Sequence, residues 1–509
     1  MQLDGTGHGA GVDAGDLDRL RGASVLVTGA GISGRAVIAP LHDLGARVTV
    51  TDTNVDALAR CAELGAETVP LDDLVADPAR VAEFVLVVTS PGFRPDAPVL
   101  AAATAAGIPI WGDIEFTWHV DRAGVYGPPR QWLVVTGTNG KTTTTSMLHS
   151  ILEAADMSSA ACGNIGLPVL DALRAQEPRV DVLAVELSSF QLHWAPSVRP
   201  TAGVVLNIAE DHLDWHGGME GYADAKAQAL TGGVAVVGLD DAVAATLVER
   251  PRDGHTVGFR LDAPDVGELG VRGGMLIDRA FADSVPLVAA DEISPPGPAG
   301  LCDALAAAAL ARAIGVSPAA VDAGLRAHRV GPHRAEVVRR LTDITFIDDS
   351  KATNPHAARS SIVAHDSVVW IAGGLLKGAR IDDLVADVAD RLAGAVLIGR
   401  DADQIAEALA RHAPEVPVVH VRAGDDGSVV EPIAGADVLH LDLPAADADT
   451  VMAEAVRAAT ALAAPGDTVL LAPAAASLDM FDSYGHRGRS FAAAVTALAD
   501  IEPESGTSG

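Results

Sequence analysis

The chain has 509 residues, of which 49% are apolar and only 4% aromatic, so it is too long for a single hydrophobic core and suits cores built from aliphatic side chains. A formal net charge of −32 argues against a nucleic-acid partner, because neutralising phosphates requires clustered Lys and Arg. The apolar runs are too short to cross a bilayer and the N-terminus does not resemble a signal peptide, so we expect a cytoplasmic protein without a membrane partner.

A glycine-rich turn lies near the start of the chain. An apolar strand, SVLVTG, leads into GAGISG and a helix, and the next strand, RVTVTD, ends on Asp52. Gly29, Gly31 and Gly34 form the GxGxxG fingerprint of a Rossmann-like sheet, with an acid at the end of the second strand. The pattern predicts a phosphate or ribose binder and does not by itself specify NAD.

Two further apolar segments continue this sheet. FVLVVTSPG is predicted as a strand with a tight turn at Ser90 and Gly92, and GIPIWGDIEF, which contains Asp113, as another strand. The stretch GPPR then predicts a linker. We therefore place a Rossmann-like domain at residues 23–127, preceded by a flexible, Gly-rich and acidic lead at residues 1–22.

A phosphate-binding loop opens the second segment. The strand QWLVV runs into TGTNGKTTTT and a helix, and Val135 stands where the longer standard loop has its first glycine. The chemistry survives the shortening, since backbone N–H groups at the helix N-terminus face the phosphates, Lys141 supplies a charge and Thr142 offers a hydroxyl to Mg²⁺. The residues predicted to bind ATP here are Gly137, Thr138, Asn139, Gly140, Lys141, Thr142 and Thr143.

Polar side chains follow the next two apolar strands. VDVLAVELSSFQL and VVLNIAEDHLDWHG each end in a polar cluster, and GYADAKAQAL carries Lys226 on a helix. Because the carboxyl ends of strands in an α/β sheet meet at the ligand crevice, these groups should lie beside the loop of Lys141. Glu186 with Thr142 predicts a magnesium site built from oxygens, and His212 is a further candidate.

Strands and Ala-rich helices alternate again in the last third of the chain, in TFIDDS, VVWIAGG, GAVLIG and DTVLLAP. We place a central domain at residues 128–330, a third at residues 331–501 and a flexible tail at residues 502–509. The segment DGHTVGFRLDAPDVGELGVRGGMLIDRAF of the central domain predicts β-hairpins. The predicted fold class is α/β in three domains: a Rossmann-like domain, a P-loop ATPase-type domain and a second Rossmann-like domain.

Lysine is almost absent from this sequence. The only four lysines are Lys141, Lys226, Lys351 and Lys377, and each lies in a segment that resembles a catalytic or phosphate-binding motif. Arginine supplies the remaining basic side chains, so lysine is retained where a compact, titratable amine is required. The four lysines therefore predict the location of an active site.

Eight motifs in one order carry a resemblance to a known family. They are GTNGKTTT, GNIGLP, ELSSFQL, NIAEDHLDWHG, YADAK, DDSKATN, GGLLKGA and PAAASLDMFDSYGHRG. From Ser24 to Leu498 the chain resembles the Mur ligase family, and within it the members that add D-glutamate to UDP-N-acetylmuramoyl-L-alanine. The resemblance implies an ATP-dependent ligase of cytoplasmic peptidoglycan precursor synthesis. In such ligases ATP converts the terminal carboxylate of the substrate into an acyl phosphate, which the amine of the amino acid attacks. We expect a monomer.

The resemblance also implies roles for the residues near the phosphate loop. Lys141 and Thr142 would hold the β- and γ-phosphates and one Mg²⁺, with Glu186 as the carboxylate ligand of that ion. His212 would bind a second Mg²⁺. Lys226 matches the lysine that reacts with CO₂ to form a carbamate, which converts an amine into a metal-binding anion.

Three sets of binding residues follow from the same resemblance. UDP-N-acetylmuramoyl-L-alanine would contact Ile32, Ser33, Asp52, Thr53, Ser90, Gly92, Asn164, Ser188 and Gln191. ATP would also contact Arg334, Asp349 and Lys351. D-glutamate would contact Lys351, Thr353, Lys377, Ser477 and Tyr484. Two alternatives stay open: Ser477 could cap a helix that begins there, and Tyr484 could serve packing alone.

One segment departs from the family pattern. Where the family usually carries a His-Asn pair and a further Asn that reach toward adenine, this chain has Ala299, Gly300 and Asp303. Adenine recognition should therefore differ, with weaker ATP binding or a relaxed nucleotide preference.

Three other functions remain possible from the sequence. A sister ligase that adds L-alanine or a diamino acid would share the phosphate loop, but the DNPR-type signature for a diamino acid is absent. An NAD(P)-dependent oxidoreductase fits GAGISG and Asp52 but leaves the phosphate loop unexplained. A non-catalytic nucleotide-binding regulator is disfavoured by the intact set of Lys141, Glu186, His212 and Lys226.

Overall fold

The structure is a computed structural model that describes residues 15–175, 177–251, 254–423, 438–443 and 446–498. The described residues form two compact units. One takes in the residues up to Ile293 together with Gly300–His328, and the other takes in Ser294–Ala299 together with the residues from Arg329 onwards.

A five-stranded parallel sheet forms the first part of unit 1, in the order β3-β2-β1-β4-β5. Its strands are β1 (Ser24–Thr28), β2 (Arg47–Asp52), β3 (Glu67–Pro70), β4 (Leu86–Thr89) and β5 (Ile110–Gly112). Its helices are α1 (Gly15–Asp18), α2 (Ile32–Asp43), α3 (Val55–Glu63), α4 (Leu71–Ala76), α5 (Pro98–Ala105) and α6 (Asp113–Arg122), with a 3₁₀ helix at Pro78–Glu83. Val25, Leu26 and Val27 of β1 are fully buried, as expected for a central strand packed on both faces.

Two details of this sheet differ from the sequence-based expectations. Part of the predicted flexible lead belongs to the fold, because Leu17 and Leu20 are 5% and 3% exposed in the hydrophobic core, while residues 1–14 lie outside the described part. Asp113 does not lie in a strand: β5 ends at Gly112, and Asp113 is the first residue of α6. An acid in the first helical turn interacts favourably with the helix dipole.

A nine-stranded sheet forms the second part of unit 1, in the order β14-β13-β12-β11-β10-β9-β6-β8-β7. Its strands are β6 (Gln131–Thr136), β7 (Ser159–Gly163), β8 (Val182–Glu186), β9 (Ala202–Val205), β10 (Val234–Gly238), β11 (His255–Phe259), β12 (Glu268–Arg272), β13 (Met275–Asp278) and β14 (Val285–Ala289). Its helices are α7 (Lys141–Ala154), α8 (Val169–Arg174), α9 (Ser189–His193), α10 (Leu213–His216), α11 (Met219–Ala227), α12 (Ala242–Ala245), α13 (Pro298–Ala313) and α14 (Pro318–Ala327), with 3₁₀ helices at Gln228–Leu230, Thr246–Glu249 and Ala290–Glu292.

The predicted β-hairpins of this sheet are correct only in part. Strands β12, β13 and β14 pair antiparallel, whereas β11 and β12 pair parallel. Periodicity marks both kinds of strand alike, so only the tertiary pairing separates them.

Unit 2 contains a seven-stranded sheet in the order β15-β16-β21-β17-β18-β19-β20. Its strands are β15 (Glu336–Leu341), β16 (Ile344–Asp348), β17 (Val368–Gly373), β18 (Leu392–Ile398), β19 (Val418–Ala423), β20 (Val438–Leu443) and β21 (Thr468–Leu471). Its helices are α15 (Pro355–Ile362), α16 (Asp382–Val388), α17 (Ala402–His412), α18 (Ala448–Leu462) and α19 (Tyr484–Thr496), with a 3₁₀ helix at Ala389–Arg391. Among these described strands, β15 alone pairs antiparallel.

The α/β fold class is confirmed by these three parallel-rich sheets. The domain boundaries stay predictions, and the tail at residues 502–509 lies outside the described part. Within that part, no helix has both the length and the apolar character needed to span a membrane.

Candidate functional site

The phosphate loop joins β6 to α7 and curls around a lysine amine. Lys141 Nζ donates to the carbonyl oxygens of Gly137 and Thr138, each at 2.9 Å. Gly140 has φ +81°, a left-handed conformation that favours glycine, and a Cβ there would lie 2.2 Å from Asp303 Oδ1. The turn therefore brings a cation and the N-terminus of a fourteen-residue helix together, which is the arrangement that binds phosphate.

One buried carboxylate links this loop to a second predicted site. Glu186, at the end of β8, is 2% exposed. Its Oε2 accepts a hydrogen bond from Thr142 Oγ1 at 2.6 Å, and its Oε1 accepts one from Asn164 Nδ2 at 2.9 Å. The hydroxyl and carboxylate oxygens fit a hard divalent cation such as Mg²⁺, which prefers oxygen ligands.

Lys226, on α11, contacts the same loop. Its side chain is almost fully buried on α11, and Nζ donates to the carbonyl oxygen of Gly137 at 2.8 Å. The ammonium also lies 4.5 Å from the centre of the Tyr222 ring. Burial, and secondly the charge of Lys141, hold the pKa of Lys226 well below that of an ordinary lysine. A lowered pKa enlarges the neutral fraction of the amine, which is the form that reacts as a nucleophile.

His212 follows β9 in a left-handed conformation with φ +53° and is the N-cap residue of α10. Its Nε2 lies 3.5 Å from Asp211 Oδ1, and its side chain is 42% exposed. The Asp211 carboxylate acts on the pKa of Lys226, so this segment lies within electrostatic range of the buried amine. His212 therefore lies at the edge of the same polar region and is open to solvent.

Three side chains support the phosphate loop. Asn207 belongs to a polar cluster that was predicted to lie beside the loop, whereas the contacts of Tyr222 and Asp303 were not predicted. Asn207 Oδ1 accepts from Asn139 N at 2.9 Å, and the hydroxyls of Thr138 and Tyr222 lie 3.0 Å apart. A third contact joins Thr144 Oγ1 to Asp303 Oδ1 at 2.9 Å, so Asp303 is engaged with α7. The position of Asn207 at a strand end indicated in the sequence that it would lie near the loop. No local sequence pattern indicates the contacts of Tyr222 and Asp303. The predicted weakening of ATP binding stays a prediction.

Residues from the ends of three strands lie close together at the glycine-rich turn of the first sheet. Asp52 Oδ2 accepts a hydrogen bond from Ala30 N at 2.7 Å, which ties the end of β2 to the turn after β1. Ser90, after β4, approaches Gly29 so closely that a Cβ on this glycine would lie 2.5 Å from Ser90 Oγ. Asp52 and Ser90, which are predicted to contact UDP-N-acetylmuramoyl-L-alanine, therefore lie at the carboxyl edge of the sheet, where ligands bind in open α/β folds. Ile32, Thr53 and Gly92 are solvent-exposed around this turn, and Ser33 lies in the first turn of α2.

Ser188 and Gln191 also have a structural role. They form a capping box at the start of α9, in which Gln191 N donates to Ser188 Oγ and Ser188 N donates to Gln191 Oε1.

The buried carboxylate of Asp113 lies beside Gln191 and Ser33. Burial raises the pKa of Asp113 to about 6, and the neighbouring Ser33 and Gln191 side chains partly offset this rise.

In unit 2, the loops that carry the predicted D-glutamate residues are neighbours. Leu375 and Ala476 exchange two backbone hydrogen bonds, at 2.8 and 2.9 Å, which pair the loop of Lys377 with that of Ser477. Ala474 N donates to Ala352 O at 3.0 Å and so adds the DDSKATN loop. These loops follow strands β16, β21 and β17, which are adjacent in the sheet.

The structure excludes a helix cap at Ser477 and a core position for Tyr484. Ser477 is 4% exposed and precedes a turn, so it caps no helix, and α19 begins at Tyr484 with Ser483 as its N-cap. Tyr484 is 38% exposed and the centre of its ring lies 4.0 Å from Lys351 Nζ, so it is not a core residue. Lys377 is exposed, with φ +54°, and Thr353 is half-buried.

The predicted nucleotide residues of unit 2 lie at its beginning. Arg334 stands between His333 and Ala335, which both have left-handed backbone conformations with φ +63° and +49°. Lys351 N donates to His333 O at 3.2 Å, so this segment lies against the DDSKATN loop. Burial raises the pKa of Asp349 to about 6.

Three family models match the chain. A Mur ligase MurD-like N-terminal domain matches residues 23–112, a Mur ligase middle domain matches residues 135–266, and a Mur ligase glutamate ligase domain matches residues 333–475. Together they cover more than half of the sequence.

Full-length relatives and solved structures agree with these matches. The chain is 72% identical to a UDP-N-acetylmuramoylalanine–D-glutamate ligase of Rhodococcus jostii, over 95% of this chain and 97% of the relative. It is 59% identical to a protein of the same name from Mycolicibacterium smegmatis, over 95% of this chain and 98% of the relative. The fold resembles the crystal structure of a UDP-N-acetylmuramate–alanine ligase from Thermotoga maritima, with 17% identity, a TM-score of 0.54, and coverage of 93% of this chain and 99% of that one. This chain belongs to the Mur ligase family.

Proposed function

We propose that this protein is an ATP-dependent ligase that adds D-glutamate to UDP-N-acetylmuramoyl-L-alanine in peptidoglycan precursor synthesis. The observation that carries the proposal is the position of Glu186. Its carboxylate accepts from Thr142 of the phosphate loop and from Asn164 of the predicted muramoyl-alanine site. One side chain thus joins the predicted site for the ATP phosphates to the predicted site for the substrate carboxylate. The names of the relatives support D-glutamate as the amino acid.

The residues suggest how the first step is organised. The loop N–H groups and Lys141 would hold the β- and γ-phosphates of ATP. Asn164, which donates to Glu186, would hold the muramoyl-alanine arm. A Mg²⁺ ion at Thr142 and Glu186 would offset negative charge on the transferred phosphoryl group. The substrate carboxylate then attacks the γ-phosphorus, ADP leaves, and an acyl phosphate forms.

The second step requires the amino acid. Lys351, Lys377 and Ser477 of unit 2 would pair with the two carboxylates of D-glutamate, because amines and hydroxyls donate to carboxylate oxygens. The free amine of D-glutamate attacks the acyl carbon, inorganic phosphate leaves, and an amide bond forms. Catalysis here is mainly positioning, which converts encounters between separate molecules into reactions within one complex.

Two finer points belong to this proposal. We expect Lys226 to act as a carbamate that, with His212, would hold a second Mg²⁺, because its lowered pKa favours the amine that reacts with CO₂. We also expect a monomer that acts in the cytoplasm on small-molecule substrates and has no nucleic-acid or membrane partner.

Phosphate release tests the function directly. The protein is incubated with ATP, Mg²⁺ and UDP-N-acetylmuramoyl-L-alanine, and D-glutamate is compared with L-glutamate, L-alanine and a diamino acid. We expect release that depends on D-glutamate. Release driven by another amino acid would point to a sister ligase, and no release with any of them would favour a non-catalytic role. Binding of a nicotinamide cofactor, detected by a fluorescence titration, would instead support an oxidoreductase.

A further inference from the structure

Arg487 of α19 is a buried arginine for which the proposed chemistry gives no role. Its side chain is 1% exposed. Burial lowers the pKa of Arg487 to about 10, while Asp479 and Asp348 raise it again by less. The guanidinium therefore stays charged at neutral pH inside the fold. A buried charge destabilises the fold unless hydrogen bonds satisfy it, so the hydrogen-bond partners of the guanidinium indicate its role.

The guanidinium donates to three separate loops. Nη1 donates to Gly373 O at 3.3 Å and to Ala475 O at 3.1 Å. Nη2 donates to Ser350 O at 2.9 Å, and Nε donates to Ser350 Oγ at 3.0 Å. All four acceptors lie at the carboxyl edge of the sheet, at the ends of strands β17, β21 and β16.

Each of these acceptors stands just before a predicted D-glutamate residue. Ser350 directly precedes Lys351 in DDSKATN, Gly373 opens the GGLLKGA segment of Lys377, and Ala475 lies two residues before Ser477. A fourth segment is joined indirectly, because Ser350 Oγ donates to the carbonyl oxygen of Tyr484 at 2.8 Å.

We propose that Arg487 is the positioning residue of the amino-acid site and fixes the mutual distances of the loops that bind D-glutamate. This assignment rests on the proposed function, because it presumes that Lys351, Lys377 and Ser477 bind the amino acid. Arg487 itself touches only protein groups, so it acts through the loops that it joins.

An arginine is required for this role by geometry. A guanidinium presents five N–H donors in a rigid plane, whereas an ammonium presents three donors at one point. A lysine at this position could reach some of the four acceptors but would leave others buried without a donor. An apolar side chain would leave all four without one.

The test compares Arg487→Met and Arg487→Lys with Arg489→Met. Arg489 lies two residues further along the same helix and is exposed, so it controls for loss of a basic residue from α19. The KM for D-glutamate, for ATP and for UDP-N-acetylmuramoyl-L-alanine is measured for each protein, together with the melting temperature. Wild-type protein is measured first, because phosphate release dependent on D-glutamate is the separate test of the proposed function.

We expect Arg487→Met to raise the KM for D-glutamate about ten- to hundredfold, since loops displaced by about 1 Å lose much of their alignment. The KM for UDP-N-acetylmuramoyl-L-alanine should change little. The KM for ATP should rise less than that for D-glutamate, because only one of the three loops, DDSKATN, carries predicted ATP residues. Arg487→Lys should be intermediate and Arg489→Met close to wild type. A purely structural role would lower the amount of active enzyme and the melting temperature while leaving every KM unchanged.

Two results would overturn the inference in a wild-type protein that uses D-glutamate. One is an unchanged KM for D-glutamate in Arg487→Met, and the other is an equal rise in KM for all three substrates. If Arg487→Met does not fold, the same criteria apply to Arg487→Lys, which keeps the charge and part of the hydrogen bonding.

Discussion

The side chain of Lys226 is both almost fully buried and bonded to a backbone carbonyl of the phosphate loop. An arginine could keep the charge and a donor at this place, yet the chain retains one of its four lysines. The proposed carbamate would explain this, because only an amine that can lose its proton can react with CO₂, and the pKa of Lys226 is lowered.

Replacing Lys226 with arginine should therefore abolish ligase activity. We expect Lys226→Arg to lower turnover roughly a hundredfold or more, a loss comparable to removing a group that stabilises transition-state charge. Phosphate release is the measurement, and stabilisation by ATP in a thermal melt shows that the variant still folds. Wild-type activity should also fall in CO₂-depleted buffer and return with bicarbonate. Near-normal turnover of Lys226→Arg would contradict the carbamate.

Asp113 illustrates a residue whose burial has a cost in stability. Its pKa rises from the ordinary value of 3.8 to about 6 in the fold, so between these values the folded state binds more protons than the unfolded state. Stability therefore falls as pH rises through this interval, and the full penalty is present above about pH 6. The carboxylate lies beside Ser33 and Gln191, which are predicted to contact the UDP substrate.

Asp113→Asn should stabilise the protein at alkaline pH and weaken substrate binding. We expect the melting temperature to rise by a few degrees near pH 8 and by less near pH 5, because asparagine removes the buried charge. The KM for UDP-N-acetylmuramoyl-L-alanine should increase, as is common where function and stability compete. Asp56→Asn, at an exposed acid in the first turn of α3, is the control and should not stabilise. An equal gain at both pH values would rule out this explanation.

At the scale of elements, the phosphate loop and α7 are joined to α13 by the side chain of Asp303. Asp303 on α13 accepts from Thr144 on α7, and the same Oδ1 atom lies where a Cβ on Gly140 would be. The loop conformation and the helix contact are therefore coupled through one carboxylate oxygen.

A double-mutant cycle measures this coupling. Gly140→Ala should lower the free energy of unfolding through both its positive φ and its clash with Asp303, and it should also impair ATP binding. Asp303→Ala should lower the free energy of unfolding by about 1–3 kcal/mol. In the double variant the clash disappears. Its loss in free energy of unfolding should therefore be about 0.5–3 kcal/mol smaller than the sum of the two single losses. Gly107→Ala is the control, because this glycine has φ +70° but nothing within 4 Å of an added Cβ. Strictly additive effects would show that the clash does not matter.

At the scale of the whole molecule, three sheets place their polar groups at the carboxyl ends of parallel strands. They do so in a chain with a formal net charge of −32. Local amides and a few lysines can hold anionic substrates despite this charge, but mutual repulsion opposes the compact state.

Added salt should therefore stabilise the free protein. We expect the melting temperature to rise by several degrees between about 0.05 and 0.5 M NaCl, because the Debye length shortens and repulsion is screened. Differential scanning fluorimetry measures this, and KCl should act like NaCl if screening is the cause. A melting temperature that falls with salt would mean that attractive ion pairs outweigh the net repulsion.

The sequence by itself determined the features that depend on neighbouring residues. The strand, the glycine turn and the following helix at Gly29 and at Gly140 are local patterns, so their positions could be predicted. Their affinity for phosphate stays a prediction. The four lysines could be singled out as candidate site residues because composition alone made them exceptional. The α/β class followed from the alternation of apolar strands with Ala-rich helices.

Only the tertiary structure decided which distant groups meet. Asp303 and Thr144 are 159 positions apart in sequence, and Arg487 lies 137 positions from Ser350 and 114 from Gly373. The helical start at Asp113 and its raised pKa likewise depend on burial among segments that are remote in sequence. A local pattern specifies what a residue can do, but burial and hydrogen-bond partners arise from the packing of the whole fold, and they determine what the residue does.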